Sequence, residues 1–424
     1  MIRLLLIILF LFIPKDCWAT RQVLLNGPAP LDTASVLYYQ LNASVLGSST
    51  ESDRAFIAPF DGRLCDFSAA TTVAPQNGAG VQMYTFTARI DGANTALTFN
   101  IRENNITNSN LDCVSFTAGQ EINLSVTPSG TPAAASYYSG IYIISNTENE
   151  TFLGISSTAT ALSNSANRFM NVGNQHPAAG TAAIETTKQM VVPNSATFKN
   201  LYVELTASPD LSFEFDMRKS TGGAFSDQAV DCTAMSTTCN SGADTFTAVQ
   251  ENLLTLKSDP SFLEGETPKL KAGVVMVPDI PGEYYITQFN QGSLDTSTTE
   301  YAGISSDLDW DSTESNVRQY TTRLLVKGMC VVLTAAPDNG ADTQSYTFTL
   351  RHNGANTLAT VTISESDQIE CINDLSIILP ASLFGSYVVV PSGTPTTAGA
   401  QITLLLKDLP TTFQASTIQG ATLQ

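Results

Sequence analysis

Residues 74–98 read APQNGAGVQMYTFTARIDGANTALT, and residues 336–360 read APDNGADTQSYTFTLRHNGANTLAT. The two align without a gap at an offset of 262, and 16 of the 25 positions are identical. A third, more diverged copy is centred on FEFDMRK at 213–219. Repetition at this spacing means tandem copies of one small domain of about 130 residues. Within the copies, Tyr84, Phe86, Ala88 and Ile90 alternate with Thr85, Thr87 and Arg89. Tyr346, Phe348 and Leu350 alternate with Thr347, Thr349 and Arg351, and Phe213, Phe215 and Met217 with Glu214, Asp216 and Arg218. A period of two in β-branched and aromatic residues predicts a half-buried strand.

Asp91 and Gly92, and Asn353 and Gly354, follow these strands. Such dipeptides favour a tight hairpin turn. A second alternating strand then returns through Leu97, Phe99 and Ile101, and through Ala359, Val361 and Ile363. Further strands are predicted at 121–127, 376–379, 386–390 and 402–406, and PSGTP at 128–132 and 391–395 marks matching turns. A short helix at 250–257 is the one helical expectation in the mature chain. GISS at 154–157 and 303–306, with a worn GSS at 47–49, reads as a recurring joint between modules. The joints lack long Gly/Ser tracts, so packed modules are expected, not beads on a linker. The predicted fold is all-β: three tandem jelly-roll-like β-sandwich domains after a signal peptide. The expected bounds are 1–19 for the signal, then 20–144, 145–282 and 283–424.

The order of pieces in each copy is a glycine-led first strand, an A-P-x-N-G-A turn, the Y-T-F-T-x-R strand with its N-G-A-N-T hairpin, a cysteine, and P-S-G-T-P. This order resembles the jelly-roll modules of viral and phage surface proteins, and is loosely similar to tumour-necrosis-factor-like jelly rolls. The resemblance implies structure, assembly or attachment, and carries over no catalytic residue.

Arg3 followed by the apolar run at 4–13 and the small Ala19 reads as a secretory signal cleaved after Ala19. The remaining 424 − 19 = 405 residues are ample for three cores. No later stretch is long and apolar enough to span a membrane. The mature chain keeps six cysteines, two per repeat, and an even count in an exported chain argues for disulfides. Cys65 and Cys330 follow glycine-led strand starts, and Cys113 and Cys371 end polar connections. This pairs Cys65 with Cys113 and Cys330 with Cys371, leaving Cys232 to bridge Cys239. On the loop-entropy model the long bridges contribute roughly 4 kcal/mol each and the short one roughly 2 kcal/mol. Zinc is the rival reading, but no CxxC or histidine pair supports it.

The formal net charge of −19 is spread thinly and repels phosphate, so nucleic acid is not an expected partner. Only His176 and His352 are available for histidine chemistry, and no spacing singles out a carboxylate pair, so the chain reads as non-enzymatic. Asp307, Asp309, Asp311 and Glu314 lie close enough for their carboxylates to converge on one hard cation, which makes calcium the candidate metal; a solvated acidic loop is the competing reading. No other cofactor is expected. Trp310, within that loop, either plugs a module joint or stands exposed. Asn42, Asn105, Asn123 and Asn149 each open a glycosylation triplet. Arg89, Arg218 and Arg351 form the one charged position found in all three copies, read as an outward cross-strand or inter-module ion pair. The expected role is an exported structural protein, extracellular or surface-associated, that self-associates or meets other surface proteins. The alternative is a secreted adhesin or carbohydrate-binding protein that uses loops at the sandwich ends to bind glycan, although the sequence lacks the aromatic cluster usual for sugar stacking, Tyr137-Tyr138 and Tyr284-Tyr285 being its densest tyrosines.

Overall fold

The computed structural model describes residues 19–42, 46–78, 80–156, 161–173, 181–261, 267–305, 309–338, 340, 343–381 and 383–409. The protein is all-β and its strands pair antiparallel. The first repeat supplies nine strands: β1 (Arg21–Pro30), β2 (Leu37–Tyr39), β3 (Phe56–Ile57), β4 (Gly62–Thr71), β5 (Met83–Ile90), β6 (Ala93–Arg102), β7 (Thr107–Phe116), β8 (Glu121–Ser129) and β9 (Ser136–Ser145). One sheet runs β1-β9-β4-β7, and the other runs β2-β8-β5-β6 with β3 also on β8. Two sheets wound in this alternating order are a jelly roll, with β2 and β3 sharing one broken edge position.

The repeated motif explains the central hairpin. Tyr84, Phe86 and Ala88 of β5 are fully buried between the sheets, as are Tyr346, Phe348 and Leu350, and Phe213, Phe215 and Met217. Asp91 and Gly92 both take positive φ, 48° and 73°, and Asn353 and Gly354 take 49° and 78°. Two successive left-handed residues are what a two-residue hairpin needs, and Gly adopts them without a Cβ penalty.

The second repeat builds its two sheets from strands between Thr151 and Pro278, and the third from strands between Glu283 and Lys407. Their orders match the first. The segment expected as a short helix at 250–257 is instead the strand Leu253–Pro260, paired along Phe213–Ser220. Leu254 and Leu256 are buried, and packing against an aromatic strand overrides local propensity. The GISS stretches are not joints. Gly154 lies within the strand Thr151–Ser156, and Gly303 follows Glu300–Ala302. The connections between modules are instead the short segments 146–150 and 279–282.

The modules close on one another in a ring. β3 packs against the strands Thr151–Ser156, Ala196–Leu205 and Leu270–Pro278 of the second module. Its counterpart Met190–Val191 packs against Leu324–Leu333 and Gly399–Lys407 of the third. The third module's counterpart, Gln319–Thr321, packs against β1 and β9 of the first. Each module thus offers one edge to the next and receives one from the last, the head-to-tail contact that closes a threefold ring.

Candidate functional site: the arginine clasps and the seams between modules

Within each module the shared arginine holds a short 3₁₀ turn against the outside of the hairpin sheet. Arg89 Nε donates to Glu51 Oε1 at 2.6 Å and Nη2 to Glu51 Oε2 at 2.9 Å. Arg351 repeats this with Glu314 at 2.9 and 3.2 Å, and Arg218 grips Glu185 through the same two nitrogens. Arg89 also reaches Asn94 and the Gly92 carbonyl, and Arg351 reaches Asn356 and the Gly354 carbonyl. The guanidinium fork matches a carboxylate with two parallel bonds, so it fixes the turn's position as well as neutralising it. The arginine position is therefore a partly buried clasp inside its own module. Its ion pairs stay within the module: the 3₁₀ turn folds over the sheet face and supplies a carboxylate in all three copies, and in the second module Arg218 also makes the expected cross-strand ion pair, with Asp227 on the neighbouring strand.

The seams carry different chemistry. Between the first and second modules, Phe56 stacks on Phe152 at 4.9 Å between centroids, and Gln22 brackets Phe152 by bonding its carbonyl at 2.8 Å and its amide at 2.9 Å. Gly273 lets Ile57 and Pro59 approach; a Cβ there would stand 2.6 Å from the Ile57 carbonyl oxygen. Lys271, 2% exposed, pairs with Glu121 of the first module and with Glu204 of its own at 2.9 Å. Burial pushes the Glu204 carboxyl up. Between the second and third modules, Val191 and Leu253 pack on Cys330 and Val332. Asn194 donates to Glu283 at 2.8 Å, and Lys188 lies 4.3 Å over the Phe289 ring. Burial lowers the Lys188 pKa to about 8. Between the third and first, Gln319 donates to the Gly27 carbonyl at 2.8 Å, Ser305 to the Leu25 carbonyl at 3.0 Å, and Tyr138 meets Phe384 edge-on at 5.4 Å. The Arg21 amide donates to Asp408 at 3.2 Å, and burial raises the Asp408 carboxyl to about 6.

The carboxylates considered for calcium are mostly engaged elsewhere. Asp307 lies outside the described residues, and Asp309 is exposed. Asp311 accepts the Thr313 amide at 2.6 Å and the Asn316 side chain at 3.0 Å. Glu314 belongs to the Arg351 clasp and also accepts from Ser386 at 2.7 Å. Burial works against its charge, yet Arg351 and Ser386 hold its carboxyl below the usual range. Among the described residues no three His, Cys, Asp or Glu side chains are grouped to hold a metal. Trp310 is buried 6.3 Å from Phe348, inside its own sandwich.

Cys65 is bonded to Cys113, Cys232 to Cys239 and Cys330 to Cys371. The first and third bridges each join directly opposite residues of two paired strands. They do not occupy the same rung. Gly62 opens β4, whereas Gly328 sits mid-strand at a bulge, so the two glycine-led starts are not equivalent. Cys232 and Cys239 lie on strands of different sheets, and that bridge ties the two layers together.

Of the glycosylation triplets, Asn105 is exposed in the β6–β7 turn. Asn123 is 2% exposed and bonds Glu51. Asn42 is half-buried with an enclosed Oδ1, and Asn149 precedes the buried Glu150 and Thr151. Tyr137, Tyr138, Tyr284 and Tyr285 are all buried and form no stacking platform for a sugar. His352 is half-buried, which lowers its pKa, and His176 lies outside the described residues. No family model matches the chain, and no curated protein matches it in sequence.

Proposed function

We propose that this chain is an exported, non-enzymatic structural protein that assembles into or decorates an extracellular, filament or virion surface. The observation that carries the reading is the ring itself: three jelly rolls, each with one disulfide, close head to tail within a single chain. One polypeptide then presents three similar outer strands, Ala93–Arg102, Ser226–Ala234 and Ala355–Ser364, in which exposed residues alternate with buried ones. Three linked copies of one surface suit multivalent attachment, where the second and third contacts form at high effective concentration. The disulfides fit an oxidising, extracellular setting, and among the described residues no helix is long and apolar enough to cross a membrane. The residues shared by the repeats are spent on core, turn and clasp, where a duplicated catalytic module would share exposed acid–base groups. Electron microscopy of the exported protein tests the reading. Ordered polymers or decorated particles support it. Hydrolase activity abolished by changing a single Asp or Glu overturns it.

A further inference from the structure

The three first strands meet around one small cavity of about 20 Å³, lined by Gln22 to Leu25 of the first module, Phe152 and Leu153 of the second, and Tyr285 to Thr287 of the third. Asn42, Gly173 and Ser305 complete the lining. These three are equivalent, since each lies three residues beyond the end of its module's second strand, at Tyr39, Met170 and Ala302. At one seam the Ser305 hydroxyl donates to the Leu25 carbonyl. At the next, Gly173 takes the serine's place and Thr287, at the offset of 262 from Leu25, takes the leucine's. A Cβ on Gly173 would stand 2.8 Å from Thr287 Oγ1, so this seam has no side chain in the serine's position. Thr287, 6% exposed, has its Oγ1 buried without a hydrogen-bond partner, and so has Asn42 its Oδ1.

We propose that this cavity is a binding site for one buried water molecule, hydrogen-bonded to Asn42 Oδ1 and Thr287 Oγ1. The volume admits a single water, which needs roughly 10–15 Å³, and little more. Asn42 Oδ1 can only accept, the Thr287 hydroxyl can donate, and one water accepts from the hydroxyl while donating to the amide oxygen; a buried polar atom left unpaired is costly. No carboxylate lines the cavity, so a divalent cation is not matched. The water satisfies two polar side-chain atoms beside a seam where Gly173 leaves no counterpart of the Ser305 hydroxyl.

A high-resolution crystal structure of the full chain tests this, together with Thr287→Val and Thr287→Ser variants. The expected result is an oxygen peak about 2.8 Å from both atoms, retained in Thr287→Ser with an unchanged Tm. Thr287→Val should lose the peak and lower Tm by about 2–4 °C. A dry cavity, or a Thr287→Val protein that melts higher because an unpaired hydroxyl has gone, overturns the proposal. So does a Tm that changes when sodium replaces potassium at constant ionic strength, which would mark a monovalent cation.

Discussion

Lys271, on the last strand of the second module, crosses the seam to pair with Glu121, on β8 of the first. Glu204 flanks the same ammonium at 2.9 Å. With Lys271 2% exposed, the cation is held almost wholly by these two carboxylates. Replacing it by methionine leaves two acids facing each other without a counter-charge. Lys271→Met should cost about 3 kcal/mol in urea unfolding. Adding Glu121→Gln and Glu204→Gln should recover most of that loss. If the triple variant is no more stable than the single one, the seam is not held by this triad.

The hairpin strands, their turns and the bridging cysteines were legible because each is a local signal. YTFT carries its own period, and a DG or NG pair names its own turn. The clasp was half legible. Arg89, Arg218 and Arg351 stand out by repetition, but their partners lie 38, 33 and 37 residues upstream on turns without a distinctive pattern. The second strands, such as Leu37–Tyr39, span only three residues and show no alternation. The ring was not legible at all. Its close approaches rest on Gly140 and Gly273, and a lone glycine inside a strand carries no local signal of the neighbour that approaches it. GISS misled for a related reason: Gly154 lies inside its module's first strand whereas Gly303 follows its module's second, and sequence likeness there does not mark structural equivalence.

Lys188 should make the seam between the second and third modules stronger in alkali. Its pKa falls from 10.5 unfolded to about 8 folded because of burial. The unfolded chain therefore binds more protons between those values, and stability rises with pH across that window. Below pH 8 the penalty is complete. Lys188→Met should gain about 2 kcal/mol at pH 7, net of the lost contact with Phe289, and the gain should shrink toward zero by pH 10.5. Equal stability of variant and parent at pH 7 would refute the buried charge.

Asp408 sets the opposite slope at the seam between the third and first modules. Its carboxyl rises from 3.8 to about 6 on folding, through burial. The folded state holds the proton longer, so stability falls as pH rises from 3.8 to 6. Asp408→Asn keeps an acceptor for the Arg21 amide. It should stabilise by up to about 2 kcal/mol above pH 6, with no difference below pH 3.8. Denaturation profiles of the two proteins across that range decide the matter.

Glu314 should prove structural and not metal-binding. Glu314→Gln removes the charge that Arg351 grips by two bonds, at a cost of about 2 kcal/mol. Because the folded carboxyl titrates below its ordinary value, its contribution is complete above pH 4.5 and is lost as pH falls through the folded value. Variant and parent should therefore converge in acid. Millimolar calcium should leave the parent's Tm unchanged. A calcium-dependent rise in Tm that Asp309→Asn abolishes would restore the cation reading.

Secretion from a host that attaches N-linked glycans should modify Asn105 and leave the other three triplets bare. Asn105 and Thr107 are both exposed at the β6–β7 turn, where a glycan extends into solvent. Asn123 has no such room: it is 2% exposed, and its Nδ2, the atom that would carry the sugar, donates to Glu51 at 3.2 Å. A glycan there would displace the first module's clasp. Asn42 has its Oδ1 enclosed at the central cavity, and the Asn149 triplet ends in Thr151, 1% exposed. Glycopeptide mass spectrometry should find one occupied site, and Asn105→Gln should remove the whole added mass. Occupancy at Asn123 in protein that still melts cooperatively would mean that β8 does not lie against the Glu51 turn, and the clasp of the first module would have to be redrawn.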